Sequence, residues 1–157
     1  MSSTVPCLWF DGDGLAAAQR YVSLFPDSRI VSTSPGGPDG APLTVDFVLD
    51  GRDWTIINGG PGFPQTEAFS VQVSCADQAE VDRCWDGLLA DGGAEGRCGW
   101  LKDRWGVSWQ VVPARLPELL SDPDPERAQR AMTAMLGMRR LVVAELEAAA
   151  DGAGRPA

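Results

Sequence analysis

The sequence predicts an α+β protein in which two βαβββ modules are followed by a C-terminal helical extension. The order strand, helix, strand, strand, strand occurs twice, in residues 4–62 and again in residues 67–113. C-terminal helices are then expected within residues 114–148, where apolar residues show helical spacing from Ala128 onward. We therefore expect a single domain over residues 4–148 and a disordered tail at 149–157.

The first module alternates clear strand and helix patterns. Apolar residues at helical spacing predict a helix over 15–25, and Pro26 ends it. Leu43–Leu49 has apolar residues at every second position, which is typical of a half-buried strand, and Asp50-Gly51 is a hairpin turn signal. The remaining strands are expected at 5–10, 29–34 and 54–58.

The second module repeats this order. Asp77 is placed to cap a helix that ends at Gly92-Gly93. The strands are expected at 69–75, 97–102 and 107–112, with a short edge strand near 94–96. In the extension, Asp124-Pro125 is typical of a helix start, and a second short helix begins at Leu141.

Composition excludes several classes of partner. The net charge is −9 and the basic residues form no cluster, which argues against nucleic acid and anionic membranes. No apolar stretch approaches the roughly 20 residues of a membrane-spanning helix, and no signal peptide is recognised, so we expect a cytoplasmic protein. The four widely spaced cysteines are expected to be free and mostly buried thiols.

Polar residues within apolar strands are the first candidates for a site. Gln72 and Gln110 each interrupt an apolar run, so they are either amides satisfied by each other or by the backbone, or polar anchors of a ligand pocket. Asp46 faces away from its strand's main apolar set. It is either solvated on an open face or a carboxylate inside a cavity, where it would be a candidate general base.

Tryptophan is abundant, with six residues in the chain. Four of them, Trp9, Trp54, Trp100 and Trp109, fall on predicted strands. They can line a cavity for a planar or apolar ligand, but core packing alone explains most of the tryptophans.

Several phrases give a family resemblance over residues 4–148. They are Cys7-Leu-Trp-Phe, Tyr21-Val-Ser-Leu-Phe-Pro, Asn58-Gly-Gly-Pro, Cys98-Gly-Trp-Leu-Lys-Asp and Val107-Ser-Trp-Gln-Val-Val-Pro. With them the chain resembles the PhnB-like branch of the glyoxalase/bleomycin-resistance superfamily, whose members often carry the label 3-demethylubiquinone-9 3-methyltransferase. The resemblance implies a vicinal-oxygen-chelate cup built from the two modules, and a homodimer.

The resemblance also implies where a metal would lie. In the superfamily, metal ligands are inward-facing residues of the first and last strand of each module. In the first module, the corresponding residues are Val5, Cys7 or Trp9 on the first strand and Ile56 or Asn58 on the last. In the second module, they are Ser70 or Gln72 on the first strand and Gln110 on the last, where the superfamily ligand is usually Glu. This set contains no carboxylate, and the whole chain contains no histidine, so we expect no metal cofactor.

The resulting prediction is a small-molecule binding protein without a standard metal site. Its expected ligand-binding residues are Trp9, Asn58, Gln72, Trp100 and Gln110. The alternatives are a metal-dependent or acid/base enzyme of lyase, isomerase or dioxygenase type, and a dimeric interaction protein whose cup is filled by its own side chains. The methyltransferase label is not supported, because the turns at 11–14 and 59–62 lack the spacing or the following helix of a nucleotide loop.

Overall fold

The computed structural model describes residues 4–153, which form two compact units that meet between Gln65 and Thr66 in the sequence. Each unit contains one four-stranded sheet. The mixed α+β architecture with two βαβββ modules and C-terminal helices confirms the predicted fold class.

The first sheet is covered on one face by a helix. Its elements are β1 (Cys7–Phe10), α1 (Gly14–Leu24), β2 (Arg29–Ser34), β3 (Thr44–Leu49) and β4 (Arg52–Asn58). The strand order is β1-β4-β3-β2, with β1 parallel to β4 and the other pairs antiparallel. The face of the sheet that α1 covers, called the α1 face below, is apolar. Its fully buried residues include Val45, Phe47 and Ile56. Strand β3 begins one residue later than the predicted Leu43–Leu49, since Leu43 is exposed and precedes the strand.

The second sheet has the same plan. Its elements are β5 (Val71–Cys75), α2 (Gln78–Leu89), β6 (Ala94–Glu95), β7 (Trp100–Lys102) and β8 (Ser108–Pro113), in the order β5-β8-β7-β6. Asp77 caps α2 as predicted, because its carboxylate accepts the Glu80 N–H at 2.9 Å. Trp85 of α2 donates its indole N–H to Glu95, which pairs with Leu101, so α2 covers the Leu101 face of this sheet.

A buried carboxylate organises the turn between β7 and β8. Asp103 is only 4% exposed, and its Oδ1 accepts the backbone N–H groups of Trp105 and Val107. Its Oδ2 accepts the indole N–H of Trp109 at 3.0 Å. Trp109 is therefore a core residue with a satisfied indole, and it does not line a ligand cavity.

The C-terminal extension forms its own apolar cluster within the second unit. Its helices are α3 (Arg115–Leu120), α4 (Pro125–Gly137) and α5 (Val143–Ala150). Leu116, Leu119, Leu141 and Leu146 are buried between them. Asp124 caps α4 as predicted, accepting the Glu126 N–H at 2.9 Å.

The end of the extension corrects the predicted tail. Helix α5 continues to Ala150, because Arg130 donates to the carbonyl oxygens of Ala149 and Ala150 and so satisfies its last turn. The expected disorder therefore does not begin at 149, and residues 154–157 lie outside the described part of the chain.

The structure also bears on the expected burial of the cysteines and on the expected absence of a membrane-spanning segment. All four cysteines are free, but only Cys75 and Cys84 are buried, while Cys7 is exposed because it lies on the face of the first sheet that α1 leaves uncovered. Within residues 4–153, no helix is both long enough and apolar enough to cross a membrane.

Candidate functional site

Three of the predicted ligand-binding residues lie side by side on the second sheet. Gln110 of β8 pairs with Gln72 of β5 on one side and with Trp100 of β7 on the other. Side chains of directly paired residues project from the same face of a sheet. These three alternate with Leu101, Trp109 and Val111, so they occupy the face opposite α2, which we call the glutamine face.

The two glutamines do not satisfy each other. Gln110 donates its Nε2 to the hydroxyl of Ser70 at 2.9 Å. Within residues 4–153, the Oε1 of Gln110 has no hydrogen-bond donor, and the exposed Gln72 has no hydrogen bond through its side chain. Gln110 is thus oriented by one partner and presents an acceptor on the glutamine face.

The next row on this face contains residues that the sequence analysis did not select. Lys102 of β7 pairs with Ser108 of β8, two residues before Gln110. Lys102 forms an ion pair with Glu67, and this interaction lowers the pKa of the Glu67 carboxyl. Ser108 is 1% exposed, and its Oγ has no hydrogen-bond partner among residues 4–153. The two-residue period counted back from Gln110 is the sequence signal that could have placed Ser108 on this face, although it does not show that the hydroxyl is buried.

Asn58 does not join this group. It lies on the α1 face of the first sheet, fully buried, where its Oδ1 accepts the Gly14 N–H at 2.9 Å. Its Nδ2 donates to the Pro42 carbonyl oxygen at 2.7 Å. The Asn58 side chain is therefore part of the fold, joining α1 to the loop before β3. Ile56 shares that face, so the uncovered face of β4 presents Thr55 and Ile57 instead.

Trp9 lies in the first unit, in a different setting from Trp100. Its indole Nε1 donates to the Gly60 carbonyl oxygen at 2.8 Å, and its ring meets Phe63 edge-on with centroids 4.9 Å apart. A Cβ on Gly59 would lie 2.1 Å from the Trp9 ring, so only glycine fits there. Trp9 thus holds the loop after β4, with one ring edge and its N–H already engaged.

Asp46 lies on the uncovered face of the first sheet. Its Oδ2 accepts the Ser32 hydroxyl and its Oδ1 accepts the Thr55 hydroxyl, both at 2.8 Å. The three residues are paired across β2, β3 and β4. Since each carboxylate oxygen already accepts a hydroxyl from a neighbouring strand, Asp46 is part of a cross-strand network.

The donor set does not fit a transition-metal centre. In residues 4–153, no three His, Cys, Asp or Glu residues come together. The uncovered positions of the strands carry mainly hydroxyl, amide and indole groups, the Cys7 thiol and the Asp46 carboxylate lie on different strands, and the whole sequence lacks the imidazole that such metals commonly use.

The family comparison agrees with the architecture of the two modules. The family model described as 3-demethylubiquinone-9 3-methyltransferase matches residues 2–112, which end before α3. No curated protein gives a significant match.

Three solved structures share this fold. The PhnB protein from Bacillus cereus is 32% identical, with a TM-score of 0.67, over 72% of this chain and all of that one. Protein PA1353 from Pseudomonas aeruginosa is 21% identical, with a TM-score of 0.58, over 72% of this chain and 98% of that one. The fosfomycin resistance protein FosX from Listeria monocytogenes, solved with Mn(II) and sulfate, is 14% identical, with a TM-score of 0.52, over 76% of this chain and 94% of that one.

The family match covers most of the chain, and the Bacillus PhnB structure is similar over its entire length. The chain therefore belongs to the 3-demethylubiquinone-9 3-methyltransferase family, the PhnB-like branch of the glyoxalase/bleomycin-resistance superfamily.

Proposed function

We propose that this protein binds a small molecule on the glutamine face without a metal cofactor. The observation that supports this most directly is the row Gln72, Gln110 and Trp100, in which two amides and an indole share one face of three adjacent strands. An amide offers both a donor and an acceptor, and an indole ring offers a planar apolar surface. This combination suits a ligand with a planar part and one or two polar groups.

The proposal leaves out metal-dependent chemistry because of the residues present. Amide and hydroxyl oxygens are neutral ligands that favour hard cations over the transition metals bound by imidazole. Asp46 is the remaining candidate for acid/base chemistry, and hydroxyl groups engage both of its carboxylate oxygens. We therefore prefer a binding protein to a lyase, isomerase or dioxygenase.

Methyl transfer is not part of the proposal. A nucleotide-type cofactor would use free N–H groups at the start of a helix that follows a strand. At the start of α1, the Gly14 N–H is donated to Asn58, and a Cβ on Gly14 would lie 2.3 Å from Ile56 Cγ2. This helix start is closely packed against β4, which supports a structural role for the turn.

A homodimer and a cytoplasmic location belong to the same proposal. The dimer follows from the family resemblance, and the location is supported by four free cysteines, which are typical of a reducing compartment. Light scattering coupled to size exclusion will give the mass of the particle, and the 16.7 kDa chain is expected at twice its mass.

NMR spectroscopy of side-chain amides tests the binding site. We expect a fragment set of aromatic amides and aromatic acids to shift the side-chain N–H signals of Gln72 and Gln110 and the indole signal of Trp100. Gln78 is the internal control, because its amide bonds to Asp82, to the Leu141 carbonyl oxygen and to the Val143 N–H. Shifts that spare the glutamine face, or that require added Mn²⁺ or Ni²⁺, would contradict the proposal.

A further inference from the structure

We propose that the Lys102 corner of the glutamine face binds the carboxylate of an aromatic acid, whose ring lies toward Trp100. This inference rests on the proposed function and adds to it the class of ligand. The corner consists of Lys102, Ser108 and Ser70, next to Gln110 in the adjacent row.

Ser108 supplies the first argument. A buried hydroxyl without a partner loses its hydrogen bonds to water and gains none in return, so native proteins rarely keep one. Ser108 is 1% exposed, and its Oγ is unpartnered among residues 4–153. Its cross-strand neighbour on the same face is Lys102. An acceptor atom brought to Lys102 would therefore lie within reach of a hydroxyl that has none.

Lys102 supplies the second argument. It is the single lysine of the whole sequence, in which every other strongly basic residue is arginine. Its ammonium group already binds a carboxylate, that of Glu67, at 2.5 Å. Glu67 is on the segment before β5, and its side chain is 65% exposed. Exposed ion pairs of this kind contribute little to stability, so a ligand can displace Glu67 at little cost.

The charge of the corner favours an acidic ligand over an amine. Lys102 and the hydroxyls of Ser70 and Ser108 are groups that donate to an anion. The acidic group beside them is Glu67, which binds Lys102 as a ligand carboxylate would. A carboxylate that replaces Glu67 keeps the ion pair with Lys102 and adds an acceptor for Ser108, whereas an amine would face the ammonium group.

The ring of the ligand has a defined neighbour. Trp100 is half-buried on β7, two residues before Lys102 and therefore on the same face of the strand. An aromatic ring attached directly to the carboxylate can contact the indole while the acid group stays at Lys102. Gln110, which pairs with Trp100, presents its free Oε1 to a hydroxyl or amide substituent on the ring.

Benzoate and its neutral counterpart benzamide test this proposal on the full-length protein. We expect benzoate to bind severalfold more tightly, because its carboxylate keeps the ion pair with Lys102 and gives Ser108 a charged acceptor. With lysine labelled by ¹⁵N, the protein gives one side-chain signal, that of Lys102, and benzoate should shift it. Lys102→Gln should remove the preference for benzoate, and Ser108→Ala should weaken benzoate severalfold.

Two further variants complete the test. Arg104→Gln makes the same change of charge two residues away on an exposed turn and should leave the benzoate preference intact. Glu67→Gln removes the competing carboxylate and should tighten benzoate binding.

The outcomes separate this inference from the proposed function. Equal binding of benzoate and benzamide at Gln110 and Trp100 would overturn the carboxylate site and leave the binding function standing. Binding of neither probe would count against both. A benzoate preference that survives Lys102→Gln would also overturn the inference, because the acid would then be bound elsewhere.

Discussion

Ser108 shows how a single hydroxyl links stability to binding. Its Oγ is buried and has no partner in the described part of the chain. Replacing Ser108 with Ala removes that hydroxyl and should raise the free energy of unfolding by about 1 kcal/mol, because an unsatisfied polar group is no longer buried. Urea unfolding measures the change.

Ser70→Ala is the matched control for this stability prediction. Ser70 accepts the Gln110 amide, so its loss should lower the free energy of unfolding by about 0.5–1.5 kcal/mol. If Ser108→Ala destabilises the protein as much as Ser70→Ala does, then the Ser108 hydroxyl has a partner and the unsatisfied site does not exist.

At the scale of elements, the C-terminal extension is an addition to the family fold that is tied to the second sheet by its backbone. The family match ends at residue 112, and α3, α4 and α5 follow it. The Met138 and Arg139 carbonyl oxygens accept the N–H groups of Cys98 and Gly99, just before β7. The extension is therefore expected to unfold together with the sheet that holds the glutamine face.

Asp122 gives the start of α4 a dependence on pH. Its carboxylate accepts the Asp124 N–H and pairs with Arg127, and both interactions lower its pKa below the ordinary value of 3.8. A group with a lowered pKa stabilises the fold above its unfolded value, and this contribution is lost as the pH falls through the folded value. Asp122→Asn should therefore speed hydrogen exchange in α4 at pH 7, and its difference from the unmodified protein should shrink as the pH falls below 3.8 and vanish only below the lowered pKa of the folded state.

The control is Asp39→Asn, on an exposed turn of the first unit, which should leave exchange in α4 unchanged. If the difference caused by Asp122→Asn persists unchanged at pH 2, the carboxylate charge is not its source.

The sequence predicted the start of a helix best where a single capping residue determines it. Asp77 and Asp124 cap helices as expected, since a carboxylate before a helical pattern has few other local uses. Helix α3 lies within the range expected to be helical but was not placed as a separate element, because Pro117 lies within it, although proline is tolerated in a first turn. Gln72, Gln110 and Trp100 were each selected from the sequence, but only the pairing of β5, β8 and β7 shows that they share one face.

The position of Asn58 shows why the candidate site was only partly predictable. Ile56 and Ile57 are both apolar, so the end of β4 has no alternation from which to tell the α1 face from the uncovered face. The contact of Gly14 with Asn58 joins residues 44 positions apart, and only the tertiary structure reveals it. Lys102 and Ser108 were missed because their significance depends on a cross-strand pairing and on burial.

At the scale of the whole molecule, the family fold is combined with a composition that has no histidine. The strand positions that could hold a metal carry neutral or apolar side chains, and the acidic residues are distributed among ion pairs such as those of Arg115, Arg127 and Arg140. A protein that bound a metal in its native state would gain stability from it by mass action. We therefore expect that neither EDTA nor added Mn²⁺, Ni²⁺ or Zn²⁺ at equimolar concentration will change the thermal unfolding midpoint.

Elemental analysis of protein purified without added metal or chelator measures the same property directly, and less than about one-tenth of an equivalent of any transition metal is expected, as the absence of imidazole ligands implies. Free thiols are the one alternative source of affinity, so Cys7→Ser, which removes the exposed thiol, is the matched variant. Metal lost in Cys7→Ser would be adventitious thiol binding. A stoichiometric metal that survives this change would rule out the exposed thiol as its ligand, and the glutamine face would then have to be reconsidered as a catalytic centre.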